Sequence, residues 1–503
     1  MNRTDNRMAR IRYFLLPLMA PALLKPALLM LALISLSSCK VVGPNYQRPS
    51  APVPPAFKEA PPDGWKEAAP SDTVLKGKWW ELYNDPDLNA LEEQVAISNQ
   101  NVRQAEAQFR QARESVHIAR AALFPSVTTG PNVTTSKAGS VQSFARSLGE
   151  TNAFQIPFDF TYQVDLWGSL RRGVQAAADT AQASEAQLEN IRLLYQSDLA
   201  SDYFMLHGTD GDIDLLERSV KSYDEYLTLT RNRFNGGVAT GADVAQAQTQ
   251  LETTRAQLID EGVARNQLEH AIAILTGKPP SELNIPRKLL TVPPPAIPVA
   301  VPSALLERRP DIAAAERAMA AANEQVGIAT ATLYPSLNLS ITAGLEGTSL
   351  LNLFTWPARF WTLGTTVSQT LYDAGKRRAQ IRLDEAAFDA TVATYRQTVL
   401  TAFQQVEDNL SALRILEQEA KAVDDAARAA EESLTISTAQ YKAGTATYLQ
   451  VITAQTFALQ NEKSAVDVLT RRMNSSVLLI EALGGGWDAS QLPSRHDLGA
   501  GGK

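Results

Sequence analysis

Residues 154–166 read Phe-Gln-Ile-Pro-Phe-Asp-Phe-Thr-Tyr-Gln-Val-Asp-Leu. Phe154, Ile156, Phe158, Phe160, Tyr162, Val164 and Leu166 fall on one face, and Gln155, Asp159, Thr161, Gln163 and Asp165 on the other. Such strict period-two alternation predicts a strand with one apolar and one wet face. Its length suits a tilted strand crossing a bilayer, which needs roughly 9–11 residues. Trp167-Gly168 closes the stretch, and from Ser169 to Arg172 onward the pattern turns helical and alanine-rich.

Working outward, the same join occurs twice. Ahead of it, Phe124-Pro125-Ser126 ends a helix beginning near Leu88, with Asp87 as its expected N-cap. Behind it, a helical region runs from Ser169 to Phe234. Leu188, Ile191, Tyr195, Leu199, Tyr203 and Leu206 form a coiled-coil-like seam there, which Asp210-Gly211-Asp212 is expected to loosen. Asn235-Gly236-Gly237 turns the chain, and a second helix returns from about Ala242 to Leu275. After a proline-rich linker the order restarts. Tyr334-Pro335-Ser336 repeats Phe124-Pro125-Ser126, and Leu337, Leu339, Ile341, Ala343 and Leu345 alternate in a third strand. Phe360 to Tyr372 makes a fourth, and Asp373-Ala374-Gly375-Lys376-Arg377-Arg378 stands where the first half has Asp165 to Arg172. The chain is a tandem duplication with a period of about 210 residues.

The expected segments are residues 1–38 as a lipoprotein signal peptide, 39–87 as a tether, 88–280 as the first repeat (strands about 126–166, helical hairpin 169–275), 281–309 as a linker, 310–487 as the second repeat (strands about 336–372, hairpin 375–483) and 488–503 as a flexible tail. The basic, apolar leader ends in Leu36-Ser37-Ser38-Cys39, which resembles a bacterial lipobox with Cys39 as the lipidated residue. An uncleaved membrane anchor is the weaker reading, because Pro17, Pro21, Lys25 and Pro26 interrupt the segment. Lys40, not aspartate, follows the cysteine, which favours the outer membrane.

The 503 residues are 45% hydrophobic and 20% charged, so the chain is not disordered by composition. The leader carries +4 of a total of −7, leaving −11 on the rest, so nucleic acid is not an expected partner. The single cysteine excludes an intrachain disulfide. His117, His207, His270 and His496 are scattered, and no H-E-x-x-H or phosphate-binding glycine loop occurs, so neither an enzyme nor a cofactor other than the lipid on Cys39 is expected.

Four amphipathic strands cannot close a membrane barrel, and open edges are not tolerated in hydrocarbon. Two, three or four copies would supply about 8, 12 or 16 strands around a polar pore. The competing reading is a solid coiled-coil rod with surface strands.

Along essentially the whole mature chain the sequence resembles the outer-membrane efflux proteins of the TolC/OprM/NodT type. The residues that carry this are the lipobox, Gly43 to Pro49, Trp79-Trp80, Arg309-Pro310-Asp311-Ile312, Tyr372-Asp373-Ala374-Gly375 and Gly484-Gly485-Gly486-Trp487. The resemblance implies a mixed α and β membrane protein: a homotrimer whose 12-stranded outer-membrane β-barrel, four strands per chain, continues into a long periplasmic α-helical barrel. It also implies a periplasmic adaptor and an inner-membrane RND-type pump as partners, beside outer-membrane lipid. The expected function is a passive exit duct of a tripartite efflux pump; alternatives are a type I secretion duct or a non-conducting structural lipoprotein.

In that family the two helix–turn–helix tips meet the adaptor, which places contacts at Gly236, Gly237, Val238, Ala239, Gly444, Thr445 and Ala446. Acidic residues often ring the entrance just beyond. Here only Asp243 is acidic, with Gln450 and Thr453 where relatives commonly have aspartate; Tyr441, Tyr448 and Leu449 complete the gate candidates. Asp243 reads equally well as a first-turn acid favoured by the helix dipole. Arg171, Arg172, Lys376, Arg377 and Arg378 are expected at the junction of barrel and tunnel, in an interfacial role. Trp167, Trp356, Phe360, Trp361 and Tyr372 read as an aromatic belt.

Overall fold

The computed structural model describes residues 41–60, 62, 77–137, 150–298 and 302–499. The leader and Cys39 lie outside the described residues. The chain divides into two compact units. One holds residues 117–176 and 322–388 with the described start of the chain to Tyr46, and the other holds 47–116, 177–321 and 389–503.

The first unit is built on one antiparallel sheet. Its strands are β1 (Ser126–Thr129), β2 (Asn132–Lys137), β3 (Glu150–Val164), β4 (Ser336–Gly347) and β5 (Arg359–Ser368). The order is β1-β3-β4-β5, with β2 also on β3. The first expected strand is thus split. β1 and β2 pair with successive stretches of β3, and Gly130-Pro131 between them pairs with nothing in the ladder. Proline has no N–H to give, which explains the gap.

Register makes the sheet two-sided. Phe160 lies opposite Val127 and Ile341, which lies opposite Leu363; Phe158 opposes Ala343, and Val164 opposes Leu337. One face is therefore mainly apolar, and its own chain leaves much of it uncovered: Val127, Phe158, Phe160, Ile341, Leu363 and Val367 are all exposed. On the other face Thr342 donates to Asp159 at 2.6 Å, and Ser126 and Thr161 share a hydroxyl bond of 2.7 Å.

The helices are α1 (Pro86–Ser98), α2 (Gln100–Ala121), α3 (Ser169–Asn235), α4 (Gly241–Leu275), α5 (Leu305–Arg308), α6 (Pro310–Ala331), α7 (Leu350–Leu353), α8 (Lys376–Ala443), α9 (Tyr448–Ala482) and α10 (Arg495–Gly499). The seam of α3 is buried at Leu188, Leu199, Tyr203 and Leu206. Leu188, with Ile191 and Tyr195, packs on Val102 and Ala105 of α2.

Four expectations are corrected here. The N-cap of α1 is Asp85, not Asp87; its carboxylate accepts from the amides of Asp87 and Leu88. The expected single helix to Leu123 breaks at Asn99, whose side-chain oxygen accepts from the amides of Asn101 and Val102 and caps α2. Its NH2 donates to Leu275 O at 2.9 Å, so a contact distant in sequence fixes the break. Next, α3 runs unbroken through Asp210-Gly211-Asp212. Buried Asp210 accepts from Arg265 Nε at 2.7 Å, and a Cβ on Gly208 would lie 2.3 Å from Thr470 Oγ1. The glycines let α9 approach closely; they do not loosen the helix. Last, the tail is docked through α10. Arg495 makes a two-pronged bond to buried Asp179 (2.8 and 2.6 Å), and Leu498 packs with Val116, Ala178 and Ala181.

Candidate functional site

The turns joining α3 to α4 and α8 to α9 use one backbone solution twice. Val238 N donates to Arg233 O at 2.9 Å, and Thr445 N to Gln440 O at 2.9 Å. Gly237 (φ 75°) and Gly444 (φ 79°) take the left-handed conformation that closes each helix, which glycine adopts without a Cβ penalty. The next helix then opens with a capping box, Thr240 with Asp243 in the first turn and Thr447 with Gln450 in the second. Asp243 accepts from Thr240 N at 2.8 Å and Gln450 Oε1 from Thr447 N at 3.0 Å. The acid-to-amide difference at these matched positions therefore coexists with one shared structural task.

The hairpins are locked together by their aromatic cores. Tyr223, Leu227, Leu251, Tyr441, Tyr448 and Val451 form one buried cluster, with Tyr441 and Tyr448 rings 5.5 Å apart. Burial, helped by the nearby Tyr441, Tyr223, Tyr226 and Asp243, raises the Tyr448 pKa and keeps its hydroxyl neutral. Of the gate candidates, Tyr441 and Tyr448 thus lie inside the hairpin core, Asp243 is half-buried, and Leu449, Gln450 and Thr453 are exposed. Of the expected adaptor contacts, Gly236, Gly237, Val238, Gly444 and Thr445 are exposed, and Ala239 and Ala446 half-buried.

Sequence reading missed Arg233. Its Nη1 donates to Tyr441 O at 2.6 Å and its guanidinium lies over the Tyr441 ring, 4.5 Å from the centroid. It thereby satisfies a carbonyl at the end of α8 from the neighbouring hairpin. An arginine in the last turn of α3, facing the tyrosine of the other turn, was the available signal. Beside this cluster a cleft of about 520 Å³ opens between α3, α8 and α9, lined by Tyr226, Glu431, Lys442, Gln455 and Glu462. Gln455 is 1% exposed, and its amide has no hydrogen-bond partner among the described residues.

The two strand-to-helix joints lie in the other unit. Asp165 accepts from Arg171 Nε (3.0 Å) and Asp373 from Arg377 Nε (2.8 Å), closing each joint alike. Arg172 departs from the expected interfacial role. It is 2% exposed, bonds Glu324 at 2.6 Å and donates to Val42 O at 2.8 Å. Trp167 likewise leaves the expected belt: it stacks on Tyr334 (4.7 Å) and donates to Pro335 O. Trp356, Trp361 and Tyr372 are exposed. Among the described residues no cluster of His, Cys, Asp and Glu is arranged to hold a metal ion.

A family model described as outer membrane efflux protein matches residues 91–278 and 301–485. The chain belongs to this family. Among efflux proteins it is 28% identical over 454 residues to the probable efflux pump outer membrane protein TtgC of Pseudomonas putida, covering 90% of this chain and 93% of that protein. It is 29% identical to the outer membrane protein OprJ of Pseudomonas aeruginosa over 462 residues, 90% of this chain and 94% of OprJ. Among solved structures, the outer-membrane channel OprN superimposes with a TM-score of 0.82 at 28% identity, covering 89% of this chain and 99% of OprN. The Vibrio cholerae outer membrane protein VceC gives 0.76 at 27% identity, covering 82% and 99%. The Campylobacter jejuni CmeC channel, at 22% identity, shares the fold with a TM-score of 0.84 over 90% of this chain and 96% of CmeC. The two matched segments of this efflux protein are the two halves of its duplication.

Proposed function

We propose that three copies of this chain form a 12-stranded barrel in the outer membrane, continued by a periplasmic tunnel of helices, as the passive exit duct of a tripartite efflux pump. The observation that carries this is the sheet: one face mainly apolar and largely exposed, the other polar, with β1, β2 and β5 left as edges. In hydrocarbon such edges must be paired, and only ring closure with further copies pairs them all. The apolar face then meets lipid and the polar face lines water. The hairpin turns, with the cleft beside them, receive a periplasmic adaptor that couples the duct to an inner-membrane RND-type pump. Cys39 carries the lipid anchor once residues 1–38 are removed. The efflux-pump names of the relatives favour this reading over a secretion duct.

The test is native mass in mild detergent followed by planar-bilayer recording. A trimer with stepwise conductance is expected. A monomer that persists across several detergents overturns the duct.

A further inference from the structure

The apolar face of the sheet ends in a row that includes a cation. Arg359 opens β5 opposite Leu345, which lies opposite Ile156. One step further out, Phe154 opposes Gly347 and Val133; beyond that the face turns polar, with Asn152 opposite Thr135 and Glu150 opposite Lys137. Arg359 therefore stands at the rim of the apolar band. Its guanidinium lies 3.7 Å from the centroid of the Trp356 ring. Among the described residues its side chain has no ion pair, and the residue is exposed.

The β4–β5 connection folds toward this same side. Gly347 shares the face of Phe154, and a Cβ on it would lie 3.5 Å from Leu353 Cα, so α7 sits over the apolar face. Leu353 is buried beneath it, whereas Leu351 is 92% exposed, and Phe354 and Trp356 project as well. An uncovered apolar turn, continuous with a lipid-facing surface and ending in an arginine on an aromatic ring, matches a bilayer interface. A lone cation there is stabilised by an anionic headgroup, and a guanidinium fork pairs with phosphate through two parallel bonds. The opposite ends of β3 and β5 lead into the long helices, so this rim is the end of the sheet remote from those strand-to-helix joints.

We infer that Arg359, seated on Trp356, binds the phosphate of an outer-leaflet lipid, with α7 and Phe354 embedded beside it. This rests on the reading of the sheet as membrane-embedded.

The experiment is native mass spectrometry of the full-length, lipidated oligomer titrated with bisphosphorylated lipid A and with the same glycolipid after removal of its phosphates. Wild type should retain lipid A, and Arg359→Ala should weaken retention by about tenfold or more, the scale of a lost charge-assisted bond. Arg359→Lys should keep part of the affinity, because it keeps the charge but not the fork. Equal retention by wild type and Arg359→Ala overturns the proposal, and so does equal binding of the dephosphorylated glycolipid. Oligomeric state and insertion into vesicles are read on the same samples. Failure there removes the membrane reading itself, whereas an inserted oligomer without phosphate preference removes only the lipid site.

Discussion

The two strand-to-helix joints share an aspartate–arginine closure but differ in length, four residues against seven, and in the side chains that follow. Asp165 with Arg171 and Asp373 with Arg377 close the turns in the same way. The next residue differs. Arg172 is buried against Glu324, while Arg378, 206 residues later, is exposed. The hairpin turns repeat the lesson: Arg233 crosses to Tyr441, and its counterpart Gln440 faces solvent. At both places it is the first repeat's arginine that reaches across to the second repeat, to Glu324 and to Tyr441 O.

The comparison breaks most visibly at Arg172. Arg172→Ala leaves Glu324 buried without its partner and should cost about 3–5 kcal/mol, against about 0.5 kcal/mol or less for Arg378→Ala. Denaturant unfolding of the detergent-solubilised protein checks both, and equal losses would erase the asymmetry. Gly327→Ala sharpens the same point. Its new Cβ would lie 2.4 Å from Arg172 Cδ, so overpacking should cost about 1–3 kcal/mol with the ion pair's chemistry unchanged.

At the turns, Arg233→Ala should cost about 1.5–3 kcal/mol of local stability and speed hydrogen exchange through residues 440–447, while Gln440→Ala leaves exchange as it is. Matched exchange in the two variants would mean that the hairpins close independently.

The smallest effect is expected at Asp202. Burial first, then the charge of Asp198, pushes its pKa to about 6 from an ordinary 3.8. Because the folded state holds the extra proton, stability falls as pH rises through that window. Asp202→Asn should therefore match wild type near pH 4 and exceed it above pH 6, by less than about 1 kcal/mol because the site is partly solvated. The matched position on α8 is Asn409, which has no carboxylate to titrate.

Much of this was legible from residue patterns. Alternation from Phe154 to Leu166 located β3 and its faces, and the paired Gly-rich breaks located both turns. What escaped depends on partners distant in sequence. Asn99 breaks a helix because Leu275 O is there to receive its amide. Arg172 is buried because Glu324 lies 152 residues away in sequence yet 2.6 Å away in space. Asp210-Gly211-Asp212 looked like a weak point because composition does not reveal that Arg265 and α9 cover it. At the turns, Asp243 and Gln450 could be read as gate residues, and the structure adds that each also holds its own helix start.

The start of the chain carries one more consequence. Val42 is pinned from both sides, its N–H donating to Trp167 O at 3.1 Å and its carbonyl accepting from Arg172. Three peptide steps separate it from Cys39, a leash of at most about 11 Å. A lipid on that cysteine would enter the bilayer at a height set by the joint where β3 gives way to α3. In the proposed duct the anchor would then serve as a depth gauge, fixing how far each subunit sinks before its strands find their neighbours.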